Sequence, residues 1–425
     1  MTAPGSPQAR IRRPIHVMAK PTGATCNLNC SYCYYLHKDA APPAVWRMSD
    51  EVLENFIRQF LATHPGPEVT FAWQGGEPTL LGLPTFRRIL ALQARYRGAG
   101  QTVANTLQTN GILLDEEWAE FLRQNNFLIG VSIDGPEELH DHHRLDKGDE
   151  PTFRRVMASI ELLRRRGVEY NLLCTINDAN GDHGARVYRF LREQAVHIQF
   201  IPVVERVGDP DPSSRGQDLT RSSVRPAQFG KFLCDAFDVW FSEDVGRVHV
   251  QLFEVQVAAA LGLPAGLCTF NETCGDAVVL ERDGSVYSCD HYVYPPYRLG
   301  NIAEQHLSEL CSTSAQRRFG NAKRDTLTKR CRACAHLHRC HGDCPKHRFA
   351  TAPDGEGGQS YLCPGYLRFF EHCSARFDAM ADGLRRGISA PISASAFGES
   401  VRARKVGPND PCSCGSAKKR KKCCG

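Results

Sequence analysis

The sequence predicts an α/β fold with a parallel sheet, followed by a loop-rich, metal-organised domain and a short basic tail. Three observations carry this. Six short apolar segments alternate with amphipathic stretches up to residue 204. From Leu267 to Cys363 cysteines become dense and regular periodicity fades. Beyond residue 406, four cysteines surround a run of lysines and arginine.

The six strand segments are HVMAK (16–20), VTFAWQ (69–74), NTLQTN (105–110), LIGVSID (128–134), YNLLCTI (170–176) and HIQFIPVV (197–204). Between them run amphipathic stretches such as those opening at Asp50 and Asp115, where acidic residues suit a helix N-terminus. Strands alternating with helices imply βαβ units and a parallel sheet. Residues 207–226 are polar and proline-bearing, which predicts a long loop, and a helix from about Pro226 to Phe241 closes this part. The chain divides into a disordered lead-in (1–13), the α/β unit (14–245), the cysteine-dense unit (246–380), a linker (381–406) and the tail (407–425).

Of the 425 residues, 42% are hydrophobic and 23% charged, an ordinary globular composition. No apolar run approaches the roughly 20 residues of a membrane span. The N-terminus has no apolar core of the secretory kind, so a cytoplasmic location is expected. Nineteen cysteines, an odd number, argue against a disulfide framework, and in a reducing compartment clustered thiols bind metal. The net charge of +5 gives no reason to expect nucleic-acid binding by the main body.

Cys26, Cys30 and Cys33 form a C-x3-C-x2-C run with Tyr32, Tyr34 and Tyr35 beside it. Three thiolates leave one iron of a [4Fe–4S] cluster open to a ligand. The alternative is a zinc site, for which His37 is the one nearby fourth ligand. The run C-x3-C-x-Tyr-C resembles the signature of the radical S-adenosylmethionine enzymes. That resemblance implies a partial (β/α)6 barrel with an open side for a peptide, and S-adenosylmethionine chelating the open iron to give an adenosyl radical.

Strand ends converge on one face in such architectures. Trp73-Gln74-Gly75-Gly76-Glu77-Pro78 follows the second strand and resembles the family's GGEP motif, in which Gly75, Gly76 and Glu77 meet the cofactor; as a bare sequence it also reads as a turn. Ser132 and Asp134 end the fourth strand and Arg144 follows. By resemblance Ser132 and Arg144 contact the cofactor's ribose and carboxylate, with Tyr32 near the adenine. Their plain alternatives are a strand-end turn and a surface ion pair. Val204 aligns with an apolar adenine contact, or is a core valine.

Eight further cysteines equal two saturated four-thiolate sites, iron–sulfur or zinc. Their pattern resembles the SPASM extension of peptide-modifying radical enzymes. That resemblance assigns Cys268, Cys274, Cys289 and Cys344 to one auxiliary [4Fe–4S] cluster and Cys331, Cys334, Cys340 and Cys363 to the other, three clusters in all. Cys174, Cys234, Cys311 and Cys373 belong to no motif; Cys174, on an apolar strand, reads as a buried small hydrophobe.

Several motifs together, KPTGATCNLNCSYCYY, WQGGEP, SIDGP, QFIP and SCDHYVYP, resemble the anaerobic sulfatase-maturating enzymes over about residues 14–375. This implies oxidation of a cysteine or serine in a sulfatase's Cys/Ser-x-Pro/Ala-x-Arg motif to Cα-formylglycine. Asp290 would take the thiol or hydroxyl proton, an auxiliary cluster the electron, and Gln74 and Tyr35 would touch the peptide; the plain alternatives are a turn residue, a turn amide and a packed aromatic. An electron donor protein is also implied. Alternatives are a SPASM enzyme forming a thioether or other crosslink, and a non-catalytic zinc adaptor. In the tail, Cys412, Cys414, Cys423 and Cys424 resemble the SEC-C zinc motif, which implies one Zn2+ and a basic face for a chaperone or ribosome; the other reading is a disordered basic tail.

Overall fold

The six apolar segments become strands within a few residues of where the alternation places them. In the computed structural model, residues 15–35, 38, 46–64, 66–208 and 218–387 are described. The N-terminal lead-in, His37 and the four tail cysteines lie outside them. In chain order come β1 (His16–Lys20), α1 (Asp50–Thr63), β2 (Glu68–Trp73), α2 (Gly82–Tyr96), β3 (Thr102–Thr109), α3 (Glu116–Gln124) and β4 (Leu128–Ser132). Then follow α4 (Glu137–His140), α5 (Phe153–Arg166), β5 (Tyr170–Ile176), α6 (Gly184–Gln194), β6 (His197–Pro202), α7 (Pro226–Glu243), β7 (His249–Val250) and α8 (Gln251–Ala260).

Local chemistry starts the helices where the acidic residues suggest. Ser49 caps α1 by accepting from the Val52 amide, and Asp115 caps α3 by accepting from that of Trp118. The apolar face of α1 presents Leu53, Phe56, Ile57 and Phe60, spaced three and four apart, against Phe71 and Trp73 of β2.

The sheet does not stop at the sixth strand. It has ten strands in the order β10-β9-β8-β1-β2-β3-β4-β5-β6-β7, with β8 (Ala277–Glu281), β9 (Ser285–Tyr287) and β10 (Arg298–Asn301) from the cysteine-dense unit. β1 through β7 are parallel, and β8 pairs in parallel with β1 from His16↔Ala277 to Lys20↔Glu281. β9 and β10 return antiparallel, and the two ends of the sheet do not meet, so it stays open. The fading periodicity also understates this unit. It holds α9 (Leu307–Cys311), α10 (Ser314–Asp325), α11 (Lys329–Arg332), α12 (Leu337–Cys340) and α13 (Cys363–Arg385).

α13 lies on α7. Their backbones touch at Gly230 and Gly365, where a Cβ on Gly230 would sit 2.8 Å from the Gly365 Cα. Around this crossing Phe237 packs on Phe253, Phe369 and Phe377. Because α13 begins at Cys363, the crossing also sets the position of that cysteine. Gly230→Ala is therefore expected to cost about 1–3 kcal/mol through overpacking, read as a lower urea midpoint. An unchanged midpoint would show that the helices part freely.

Candidate active site and metal centres

At the carboxyl end of β1 the chain turns into the loop that bears Cys26, Cys30 and Cys33. The Gly-Gly loop after β2 is pressed directly onto it. Gly76 N donates to Gly23 O at 2.7 Å and Glu77 N to Thr25 O at 2.9 Å. A Cβ on Gly76 would fall 2.0 Å from Thr25 O, so only glycine permits this approach. Gly76 thus has a structural duty, holding the cysteine loop, that the sequence motif did not disclose.

The Glu77 carboxylate is engaged within the protein. It is fully enclosed and accepts from the Thr79 amide and hydroxyl, the Thr109 hydroxyl and the Asn110 amide. Burial pushes its pKa up while these donors pull it back. The acid fixes the loop through both oxygens, three donors meeting Oε1 and one Oε2.

Arg144 is likewise committed. It forms not a surface ion pair but a buried one, with Nε 2.9 Å from Asp134 Oδ2 and Nη2 3.2 Å from Oδ1. Tyr32 Oη also donates to Asp134, and the Thr175 amide donates to its Oδ1 at 2.9 Å. Burial works against the Asp134 charge, yet the Arg144 guanidinium holds this carboxyl below the usual carboxylate range. Asp134 is therefore the hub that fixes Tyr32 and Arg144, a role that its place at a strand end alone did not reveal. Ser132 Oγ accepts from Gln108 Nε2 at 3.1 Å, and Val204 lies in the main apolar core.

Two residues expected at the peptide are also tied to the protein. Tyr35 is buried and donates its hydroxyl to Glu281, so it is a packed aromatic in this structure. Gln74 Oε1 accepts from Lys20 Nζ at 3.3 Å, and that ammonium lies 4.5 Å from the Tyr35 ring centroid. Asp290 opens a short 3-10 turn directly after Cys289. Its Oδ2 accepts from Tyr34 Oη at 2.8 Å, and its Oδ1 lies 3.3 Å from Cys289 Sγ. Burial opposes its charge, but His291, Lys20 and the Tyr34 hydroxyl outweigh burial and keep the carboxyl ionised. Tyr34 and Lys20 lie inside the quoted motif KPTGATCNLNCSYCYY, which gave neither of them a role.

The cysteines fall into three sets. Burial, then Glu77 and Cys33, raise Cys26 up to about 11, and burial, then Cys33 and Cys26, raise Cys30 up to about 12. Cys274 is likewise pushed up to about 11, next to Cys268, and Cys344 up to about 12. Cys289 is raised by burial and by Asp290, Cys344 and Cys268. The set of Cys331, Cys334, Cys340 and Cys363 lines a cavity of about 490 Å³ with Tyr366 and Phe370. Between Cys340 and Cys344 the backbone is left-handed at His341, Gly342 and Asp343, which turns these two cysteines toward different sets.

These sets suit clusters better than single zinc ions. Four thiolates about 2.3 Å from one zinc lie only ~3.8 Å apart. Among the described residues, the only His, Cys, Asp or Glu trio with ligand atoms within 4.8 Å of one another is His142, His143 and Asp178. His143 is already bonded there on both nitrogens, to Ser31 Oγ at 2.6 Å and Asp178 Oδ1 at 2.8 Å. Of the cysteines left over, Cys174 is a fully buried small hydrophobe, and Cys234 meets Cys373 across the α7–α13 crossing.

Comparison with known proteins places this geometry. Residues 21–191 match the Radical SAM superfamily and residues 268–335 match the SPASM iron-sulfur cluster-binding domain. The chain is 43% identical over 389 residues to the serine-type anaerobic sulfatase-maturating enzyme of Bacteroides thetaiotaomicron, covering 88% of this chain and 93% of that one. It is 34% identical to the cysteine-type enzyme of Clostridium perfringens, covering 88% and 100%. A solved structure described as native anSMEcpe with bound AdoMet and Cp18Cys peptide superposes with a TM-score of 0.78 at 34% identity, covering 88% and 100%. Cys363→Ala is expected to remove about four irons per chain and leave the other two sets filled, checked by iron and sulfide assay of reconstituted protein.

Proposed function

The chain belongs to the family of anaerobic sulfatase-maturating enzymes, and on that premise we propose that it oxidises a cysteine or serine of a sulfatase Cys/Ser-x-Pro/Ala-x-Arg motif to Cα-formylglycine. Cys26, Cys30 and Cys33 would hold the cluster that binds S-adenosylmethionine, and the eight later cysteines the two auxiliary clusters. When bound, these groups supply the adenosyl radical that takes a hydrogen atom from the target Cβ and a sink for the remaining electron.

The residues of the chain do the rest. The observation that carries the reading is Asp290, an ionised carboxylate fixed between Tyr34 and Cys289. A thiol loses its proton on binding metal, so a ligating Cys289 no longer engages Oδ1. That oxygen is then free to take the proton from the target Sγ or Oγ as general base. With Oε1 of Gln74 on Lys20, its Nε2 is the donor left for a peptide carbonyl. Gly75, Gly76 and Ser132 would border the cofactor, and the Arg144–Asp134 pair would hold Tyr32 in place for it.

No helix among the described residues is long and apolar enough to cross a membrane. The thiol content supports a reducing cytoplasmic setting with a protein electron donor, and the tail, by its pattern, would bind Zn2+ and present a basic face to a chaperone or ribosome.

The test uses anaerobically reconstituted protein, S-adenosylmethionine, a reductant, and paired Cys-x-Pro-x-Arg and Ser-x-Pro-x-Arg peptides. Mass spectrometry should show the formylglycine mass with 5′-deoxyadenosine formed alongside. Asp290→Asn should lower product formation by about 10²–10⁴-fold while deoxyadenosine still forms. Deoxyadenosine with both peptides unmodified would sink the sulfatase reading.

A further inference from the structure

Lys323 is fully buried in α10, yet no carboxylate pairs with it among the described residues. A buried ammonium without an anion is costly, and such groups are normally paired. Its Nζ instead reaches three backbone carbonyls, those of Cys268 at 2.6 Å, Thr269 at 2.7 Å and Asn271 at 2.5 Å. Three acceptors require three N–H donors, which only the protonated amine provides.

The rest of the helix face explains why the lysine is there. Gln316, Gly320 and Lys323 lie four and three residues apart, on one side of α10. Gln316 Nε2 donates to Gly275 O at 2.8 Å. Gly320 O accepts from the Cys274 amide at 3.2 Å, and a Cβ on Gly320 would fall 2.2 Å from Cys274 O. Thus one face of α10 grips the turn from Cys268 to Gly275 that carries two cysteines of the first auxiliary set. The thiols of Cys344, Cys274 and Cys268 are the groups of opposite potential charge that face this ammonium. The other charges facing this set are Arg348, whose Nη1 donates to Lys323 O at 2.5 Å, and the carboxylates of Asp343, Asp276 and Asp290.

We propose that Lys323 is the buried counter-cation of the first auxiliary cluster, tuning it toward its reduced form while positioning the Cys268 turn. A positive charge beside a cluster stabilises the state carrying one more electron, so it raises the reduction potential. The site would thereby be poised to receive the single electron released when the substrate radical loses its proton and becomes the aldehyde or thioaldehyde. The inference rests on assigning Cys268, Cys274, Cys289 and Cys344 to one cluster, so wild-type iron and sulfide content is measured first. Fewer than three clusters there would fail that assignment, independently of the lysine.

The test is a potentiometric titration of the reconstituted holoprotein, followed by EPR, for the wild type, Lys323→Gln, Lys323→Met and Lys323→Arg. Lys323→Gln keeps amide donors for the turn and removes the charge. It is expected to shift one auxiliary cluster's reduction equilibrium against reduction by about tenfold, ~59 mV for a one-electron couple. The other two clusters should be unmoved, and Lys323→Arg should restore the wild-type value. Iron lost from the Gln and Met variants but retained in Arg would still assign the requirement to the cation. A wild-type potential in Lys323→Gln, or iron lost from all three variants, would overturn the proposal.

Discussion

The interior of this protein is organised around thiols that must lose their protons in places where burial resists it. A cysteine binds iron as thiolate, yet enclosure drives Cys30 and Cys344 up to about 12. Positive charge is what offsets that cost. Most of it comes with the metal, but the chain contributes some of its own. Arg144 lowers Cys30, and Lys323 lowers Cys274 and Cys344. Arg144 is itself neutralised by Asp134, whereas Lys323 has only carbonyls around it. The first cation is thus balanced without any cluster, and the second is balanced only by thiolate or cluster charge.

A second constraint follows from how the sets are joined. The first auxiliary set hangs from β8, β9 and α10, and β8 is hydrogen-bonded along the whole length of β1. Smaller ties add to this seam. Asn55 and Gln59 of α1 both donate to Ile302 O beyond β10, at 2.8 and 2.9 Å, and Tyr35 donates to Glu281 of β8. The α/β unit and the cysteine-dense unit therefore share one sheet. A displacement between them would break the β1–β8 ladder, so the distance from the radical site to the auxiliary set is built into the fold.

What the sequence disclosed follows from which signals are local. Alternation located β1 to β6, and capping residues located α1 and α3, because those patterns depend on near neighbours. β8 to β10 escaped notice because three short runs among cysteines carry no period long enough to read, and β1, the partner of β8, lies some 260 residues away. The same logic divides the site. Cysteine spacing located the residues of the three described cysteine sets, and the family resemblance divided the later eight between two of them. Spacing gave no sign that Glu77 spends its oxygens on Thr79, Thr109 and Asn110, or that Arg144 turns to Asp134, since those outcomes depend on which loops meet in space. Lys323 was the least legible of all, a lysine on a helix whose exposed residues are otherwise those of an ordinary solvent face.

The placement of Asp290 joins the two constraints. Were the base on a barrel strand end, proton removal and electron removal would be aligned by separate parts of the chain. Here the carboxylate and the cluster ligand are adjacent residues, their Cα atoms about 3.8 Å apart by peptide geometry alone. Whatever moves Cys289 moves the proposed base with it. The opposite side is fixed just as closely, because Tyr34 follows Cys33 in the radical-site loop and donates to Asp290 at 2.8 Å. One hydrogen bond thus links the residue after a radical-site ligand to the residue after an auxiliary ligand. In the proposed reaction, hydrogen-atom, proton and electron removal would act on one substrate position between two adjoining turns of chain, and the continuity of β1 with β8 keeps those turns at a fixed separation.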